Sequence, residues 1–322
     1  MTHPNDPYPR YAELPVIEKT GEHHSWKVFG DEDELGTMNF IGPAEVRDAM
    51  TCAPEGRVVN LDLPLDLPRP ALSGERAGYE HHIHRAPFGS DDWIDNFYPQ
   101  GSSQWDAVSH IRYREFGFYG GRQDADLDRG ELGIDRLARK GIVGRGVLVD
   151  WAAWQEAHGR PVEAAARVPI TPDDFDAVLA WSGVTLRQGD ILILRTGWLR
   201  WYLNLDQPGR DATGGTLHNR EGGLDCPGFA PGADMAAWLW NHRVAAVAAD
   251  NPALETLRVN KEDGFLHRRI MSLMGMPIGE FWYLEELSHA CRDRGRHDFF
   301  LTSSPINLPR GVGSPANAYA IL

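Results

Sequence analysis

Three short runs, RGVLVDW (145–151), GDILILRTGW (189–198) and RVAAVAAD (243–250), are almost unbroken in aliphatic side chains. A strand with one wet face alternates apolar and polar residues, whereas a strand covered on both faces has no such need. The runs therefore predict buried strands of a sheet with helices packed on it. Between and around them lie helical signals. ITPDDFDAVLAWSG (170–183) offers Thr171 as a cap, Pro172 in the first turn and Asp174 three residues after the cap. Phe175, Val178 and Leu179 make its apolar stripe, and Gly183 ends it. APGADMAAWLWNH (230–242) has the same form, and GPAEVRDAM (42–50) and GFLHRRIMSLMGM (264–276) predict two further helices. RVVNLDLPL (57–65) predicts a strand that Pro64 marks as an edge or an end, and HDFFLTSSP (297–305) one more. This alternation predicts an α/β fold in a single domain, with a mixed or parallel β-sheet flanked by helices.

The first 40 residues are polar and irregular, with Pro4, Pro7, Pro9 and Pro15. They predict an N-terminal arm (1–40) ahead of a main domain (41–322). The stretches 66–104 and 199–229 are rich in Gly, Pro, Asp and aromatic residues, and loops that long inside one domain are usually functional. A formal charge of −14 repels a nucleic acid backbone, and the basic stretches are short and mixed with acids, so no nucleic acid partner is expected. Without a run of about 18 uncharged apolar residues no membrane span is expected. The opening segment has neither a basic start nor an apolar stretch, so no signal peptide is expected. Cys52, Cys226 and Cys291 are far apart and odd in number, which fits a reducing cytoplasm.

GxxxxGK[ST], GxGxxG after a strand, GxSxG and HExxH are all missing. HHIH (81–84) has no specific metal spacing, and a solvated loop cluster is its ordinary reading. The informative segment is YPQGSSQWDAVSHIRY (98–113). On a helix, Asp106 and His110 would share one face, with Gln100 and Gln104 repeating the spacing upstream. An Asp, a His and amide oxygens can hold Zn²⁺ or Mn²⁺. The spacing equally fits a capped helix with an Asp–His surface pair. A second constellation is His267 with Glu280, brought back by the turn in MGMPIG. It fits either a satisfied core pair or two ligands of one ion, since a buried Glu must find a partner.

These segments resemble the metal-dependent cyclase and kynurenine formamidase family of amide and lactone hydrolases. That family carries His-x-Gly-Thr-His-x-Asp-x-Pro-x-His, which falls here on Gln100-Gly-Ser-Ser-Gln104-Trp-Asp106-Ala-Val-Ser-His110. The Asp and the last His match, and Gln stands at the first two His positions. DELGTMNFIGP (33–43), RGVLVDWA (145–152), GDILILRTGW (189–198) and VAAVAADNPALE (244–255) extend the resemblance in the same order. It implies a swivelling β/β/α-type fold, a homo-oligomer of two or more chains, and a small-molecule substrate. It implies metal ligands at Asp106, His267 and Glu280, with Gln104 and Gln100 at the positions of the two replaced His. It implies proton transfer by His110, or by His267 if that residue is not a ligand.

The Gln-for-His change, in SQWD, is similar to the branch of trans-dienelactone hydrolase. An uncharged amide oxygen suits Mn²⁺ better than it suits Zn²⁺, so one divalent metal per chain, Mn²⁺ or Zn²⁺, is expected rather than two. The implied activity is hydrolysis of a lactone or a cyclic or aryl amide. Two alternatives remain at this level: a cyclase or dehydratase acting on an aromatic or polyketide intermediate, and a metal-free binding protein. Trp105, Tyr98, Phe97 and Trp26 are the candidate substrate-binding aromatics, with Trp93 beside them. Arg195 and Arg258 suit either a substrate carboxylate or structural ion pairs.

Overall fold

The computed structural model describes residues 7–76, 78–219, 222–260 and 262–322. Eleven of the fifteen strands among the described residues matter here: β1 (Val58–Asn60), β2 (Glu80–Ala86), β3 (Gly89–Asp95), β4 (Gln104–Asp106), β5 (Ile142–Val149), β6 (Ile191–Leu194), β7 (Ala246–Ala249), β8 (Ile278–Glu280), β9 (Asp298–Ser303), β10 (Gly313–Pro315) and β11 (Ala318–Ile321). Nine of them form one mixed sheet in the order β10-β4-β8-β7-β6-β5-β9-β11-β1. β5, β6, β7 and β8 run parallel, and the strands flanking them pair antiparallel. The apolar runs thus become the central parallel strands, with β6 and β7 buried along their whole length. β1 is the edge strand that Pro64 foreshadows.

The helices α1 (Pro172–Trp181), α2 (Ala233–Asn241) and α3 (Glu285–Arg294) connect strands of this sheet. α1 starts as its sequence predicts. The Thr171 hydroxyl accepts from the Asp174 amide at 3.3 Å, and the Thr171 amide donates to the Asp174 carboxylate at 2.9 Å. The sheet and helices bury one large core, in which Trp240, Phe175, Phe299 and Ile193 are fully enclosed.

The helix expected over 264–276 is shorter than the sequence suggests. Its first turn carries His267, and a π-helical turn follows over Arg268–Ser272. Such turns insert one residue into the helical repeat and re-aim the side chains around them. The chain then crosses the N-terminal segment at Gly275, where Gly36 has φ +55°. A Cβ on Gly36 would lie 1.9 Å from the Gly275 carbonyl oxygen, so two glycines are needed where the backbones touch.

From Tyr8 to Phe40 the N-terminal stretch lies on the body. The Arg243 guanidinium donates to the Tyr8 and Pro9 carbonyls, and Trp26 Nε1 donates to the Ser272 carbonyl at 2.9 Å. The two long loops meet each other, through Gly215 N–H to Ala71 O and Leu217 N–H to Leu72 O, both at 3.0 Å. Neither loop is without structure: the first contains the hairpin β2–β3 and the second a helix, Gln207–Thr213. Among the described residues no helix is long and apolar enough to cross a membrane.

Candidate metal centre

Asp106 and His110 do not share a helix face. Residues 104–106 form β4, held between β8 and β10. Side chains on a strand alternate, so Gln104 and Asp106 point to one face and Trp105 to the other. The register then sets the neighbours: Glu280 pairs with Gln104, and Ile278 with Asp106. Cross-strand partners on one face lie side by side, and this brings an acid from position 280 next to the pair on β4. Trp105 is fully buried on the opposite face. It stands edge-on to Trp282 at 5.0 Å, and its indole N–H donates to Ser303 at 2.8 Å. It is a core side chain, turned away from Asp106.

His267 enters from the helical turn before the π-turn. Ligand atoms of Asp106, His267 and Glu280 all lie within 4.8 Å of one another, and all three residues are buried. His267 Nε2 lies 3.1 Å from Glu280. Its Nδ1 lies 2.7 Å from Glu255, a residue the sequence analysis gave no role. The Glu255 carboxylate also accepts the backbone N–H groups of Leu266 (2.8 Å) and His267 (3.0 Å). Glu255 therefore caps the turn and fixes the imidazole ring in one stroke. A carboxylate on the far nitrogen of a ligating His is the usual support for such a ligand. The signal available in the sequence was an acid closing VAAVAADNPALE, just past a buried strand. Asn251 steadies this segment by donating to the carbonyls of Pro227 (2.7 Å) and Leu254 (3.1 Å).

Gln104 bridges the two acids. Its amide NH₂ donates to Glu280 at 2.6 Å and to Asp106 at 3.3 Å. Two buried oxygens, Gln104 Oε1 and Asp106 Oδ1, have no hydrogen-bond donor among the described residues. Orphaned buried acceptors beside two carboxylates and an imidazole are a set of donor atoms suited to a divalent cation. The residues present therefore fit a metal ion.

Electrostatics agree. Burial pulls the His267 imidazole down, but its hydrogen bonds and charge interactions with Glu255 and Glu280 outweigh burial and push it up to about 10. Burial, reinforced by Asp106, raises Glu280, while His267 and Arg76 oppose that rise.

His110 lies on the turn that follows β4, half-buried, with its N–H bonded to the Ala107 carbonyl at 2.8 Å. Its ring makes no hydrogen bond with the described residues, and it is not a member of the three-residue cluster. Gln100 is buried on the turn before β4, with its amide against Gly313, the residue paired with Asp106. Tyr98 is exposed, Phe97 is half-buried, and Trp26 packs beside Gly121. Arg195 is buried between Asp150 and Glu285, and Arg258 is paired with Asp225, so both close ion pairs within the chain. HHIH lies on β2, where His81 and His82 approach Asp92 and Asp95, and none of these residues joins the cluster.

A family model described as "Cyclase: Putative cyclase" matches residues 22–256. The chain belongs to the cyclase family. A crystal structure titled as a novel cyclase is 32% identical, covers 93% of this chain and 99% of its own, and superimposes with a TM-score of 0.80. An isatin hydrolase bound to the product analogue thioisatinate is 18% identical over 83% of this chain and 92% of that one, with a TM-score of 0.58. Isatin hydrolase A from Labrenzia aggregata, bound to benzyl benzoate, is 16% identical over 82% and 93%, with a TM-score of 0.60. At these identities the isatin hydrolases share the fold with this cyclase-family chain. A search of proteins with curated functions gives no match.

Proposed function

We propose that this cyclase-family protein is a metal-dependent hydrolase that opens a lactone or a cyclic or aryl amide, with one Mn²⁺ or Zn²⁺ per chain. The observation that carries the reading is the buried Asp106–His267–Glu280 cluster with two oxygens, on Gln104 and Asp106, that lack a donor among the described residues. When bound there, a divalent cation supplies Lewis acidity to a carbonyl and acidifies water. Asp106, Glu280 and His267 Nε2 would hold it, with Gln104 Oε1 as a further donor. Glu255 keeps the His267 Nδ1 proton in place, so that Nε2 presents its lone pair. His267 is thereby committed to holding the ion. His110, with a ring free of hydrogen bonds to the described residues, is the group we assign to proton transfer.

A small-molecule substrate with an acyl bond suits this site. The substrate in the name of the isatin hydrolases of the same fold, a ring amide, supports the choice of ring amides as first candidates. All three cysteines are buried and unpaired, and this supports our placing the protein in the cytoplasm. The family description favours a second reading, a cyclase that consumes no water.

Metal content and turnover test the proposal together. Elemental analysis of protein purified without chelator should give about one Mn or Zn per chain, lost in Asp106→Ala with the fold retained by circular dichroism. Lactones, isatin and aryl formamides would then be screened in ¹⁸O-labelled water, where hydrolysis places the label in a new carboxylate. Turnover without label would favour the cyclase reading. A folded wild type that takes up no metal after reconstitution would overturn both.

A further inference from the structure

Away from the metal centre, toward the other end of the parallel strands, lies a cavity of about 260 Å³ that the function proposed above does not use. Its place follows from the register. Gly279 on β8 pairs with Ala248, Ala248 with Ile193, and Ile193 with Leu148, so Glu280 is level with Val149. The cavity reaches Arg145, four residues back along β5 and three strands across. At about 3.3 Å per residue and about 4.8 Å per strand, the two places lie roughly 20 Å apart.

The wall of this cavity is rich in cations. Arg145, Arg187 and Arg296 line it, and Asp298 is the one acid among its described lining residues. Asp298 is already shared between Arg145 Nε at 3.2 Å and Arg296 Nη2 at 3.1 Å. Asp190 stands behind Arg145 at 3.2 Å, and burial raises its carboxyl to about 7, so near neutral pH it cancels only part of a charge. Arg187 is exposed and closes no ion pair among the described residues. This positive excess is local, since the chain as a whole carries −14. Backbone dipoles do not produce it. α1 and α3 end beside the rim, at Gly183 and Gly295, and a helix C-terminus carries a partial negative charge. The field of the cavity is therefore set by its side chains.

His297 is a second, independent sign of a ligand. It is 6% exposed and lines the cavity, and neither of its ring nitrogens has a hydrogen-bond partner among the described residues. Buried polar atoms are paired as a rule, so two orphans on one ring ask for a cause. Burial lowers this imidazole, and Arg292 and Arg294 push the same way, against Asp150 and Asp298. A neutral ring presents one N–H and one lone pair. Unpaired donors and uncancelled positive charge thus meet in one enclosed place.

We propose that this cavity binds a small oxyanion, a phosphate or a carboxylate, held by Arg187, Arg296 and the His297 N–H. Guanidinium forks match either anion with paired, charge-assisted hydrogen bonds. The nitrogens of Arg145 are engaged by Asp190, Asp298 and the Thr185 carbonyl, so it contributes charge rather than new bonds. The volume lies just below the roughly 300–1,000 Å³ of pockets for drug-sized ligands, which suits inorganic phosphate or citrate. This site stands independently of the reading of the metal centre.

Isothermal titration calorimetry of the full chain with phosphate, and separately with citrate, tests the proposal at ionic strength matched with chloride. One of the two should bind once per chain, with a dissociation constant of about 1 mM or tighter. Arg187→Ala combined with Arg296→Ala should weaken it at least tenfold. Both side chains reach solvent, so the circular dichroism spectrum should not change. His297→Phe keeps a ring and removes both nitrogens, and should weaken binding as well. Asp106→Ala should bind the anion as tightly as the wild type. No saturable binding of either anion beyond that of chloride would overturn the proposal. So would full affinity in the arginine double variant or in a folded His297→Phe, or loss of binding in Asp106→Ala, which would place the anion at the metal centre.

Discussion

Replacing Glu255 separates its two duties, holding a turn and orienting a ligand. Its carboxylate accepts three bonds: Leu266 N–H at 2.8 Å, His267 N–H at 3.0 Å and His267 Nδ1 at 2.7 Å. Glu255→Ala leaves all three donors buried with no acceptor. Each such group costs about 1–3 kcal/mol, and the turn can relax to recover part of the total. A loss of several kcal/mol is expected, a large share of the ~5–15 kcal/mol that holds a typical domain together. Glu255→Gln keeps the volume and one carbonyl oxygen but removes the charge. Its stability should fall by less than half as much. Its imidazole should lose the partner that most favours the charged form, and its metal affinity should fall roughly 10–100-fold, the usual effect of losing a supporting carboxylate. Urea melts in EDTA measure the first quantity, and metal titration against a competing chelator the second. If Glu255→Ala melts with the wild type and Glu255→Gln binds metal as tightly, Glu255 neither caps nor orients, and the reasoning fails.

Gln104→His should raise zinc affinity at least tenfold, because an imidazole nitrogen suits zinc better than an amide oxygen. Competition against a chromogenic chelator checks it, and equal or weaker binding would show that Gln104 does not face the ion. Asp62 predicts a pH effect. Burial raises its carboxyl from 3.8 to about 6, against the lowering bonds from Ala318 and Asn317. The folded chain therefore holds this proton more tightly than the unfolded one, so the contribution to stability is present below about pH 4 and lost as pH rises through 6. Asp62→Asn removes that loss. The stability of wild type relative to the variant should thus decline between pH 4.5 and 7.5 in urea melts, and a difference that is flat or grows with pH would refute the assignment.

What the sequence discloses follows from how local each cause is. The buried parallel strands announce themselves as aliphatic runs because both faces of β6 and β7 are covered. α1 is legible down to its cap because Thr171 and Asp174 are three residues apart and meet within one turn. β4 is not legible. It is three residues long, its Gln-Trp-Asp alternation is too short to show a period, and its partners β8 and β10 come from much later in the chain. A helical spacing of Asp106 and His110 was therefore as plausible as a strand until the register was known. The hairpin was hidden for a related reason: HHIH and DDWID look like loop composition, since an arm exposed on both faces lacks the apolar alternation of a half-buried strand.

The cluster itself depends on non-local pairing, and there Gln104 has a physical role. Asp106 and Glu280 are two buried acids with oxygens within 4.8 Å, an arrangement that repels itself when both are ionised. A neutral imidazole at position 104 carries one N–H and can donate to one of them. The Gln104 amide has two N–H groups and lies within reach of both, at 2.6 and 3.3 Å. It thereby holds the acids in place while the site is free of metal, and His267, shared between Glu255 and Glu280, balances their charge from the other side. The same amide offers an oxygen rather than a nitrogen to an incoming ion, and brings no second imidazole to hold another. On the proposed reading, Gln104 would preorganise the site for a divalent cation and offer it an oxygen.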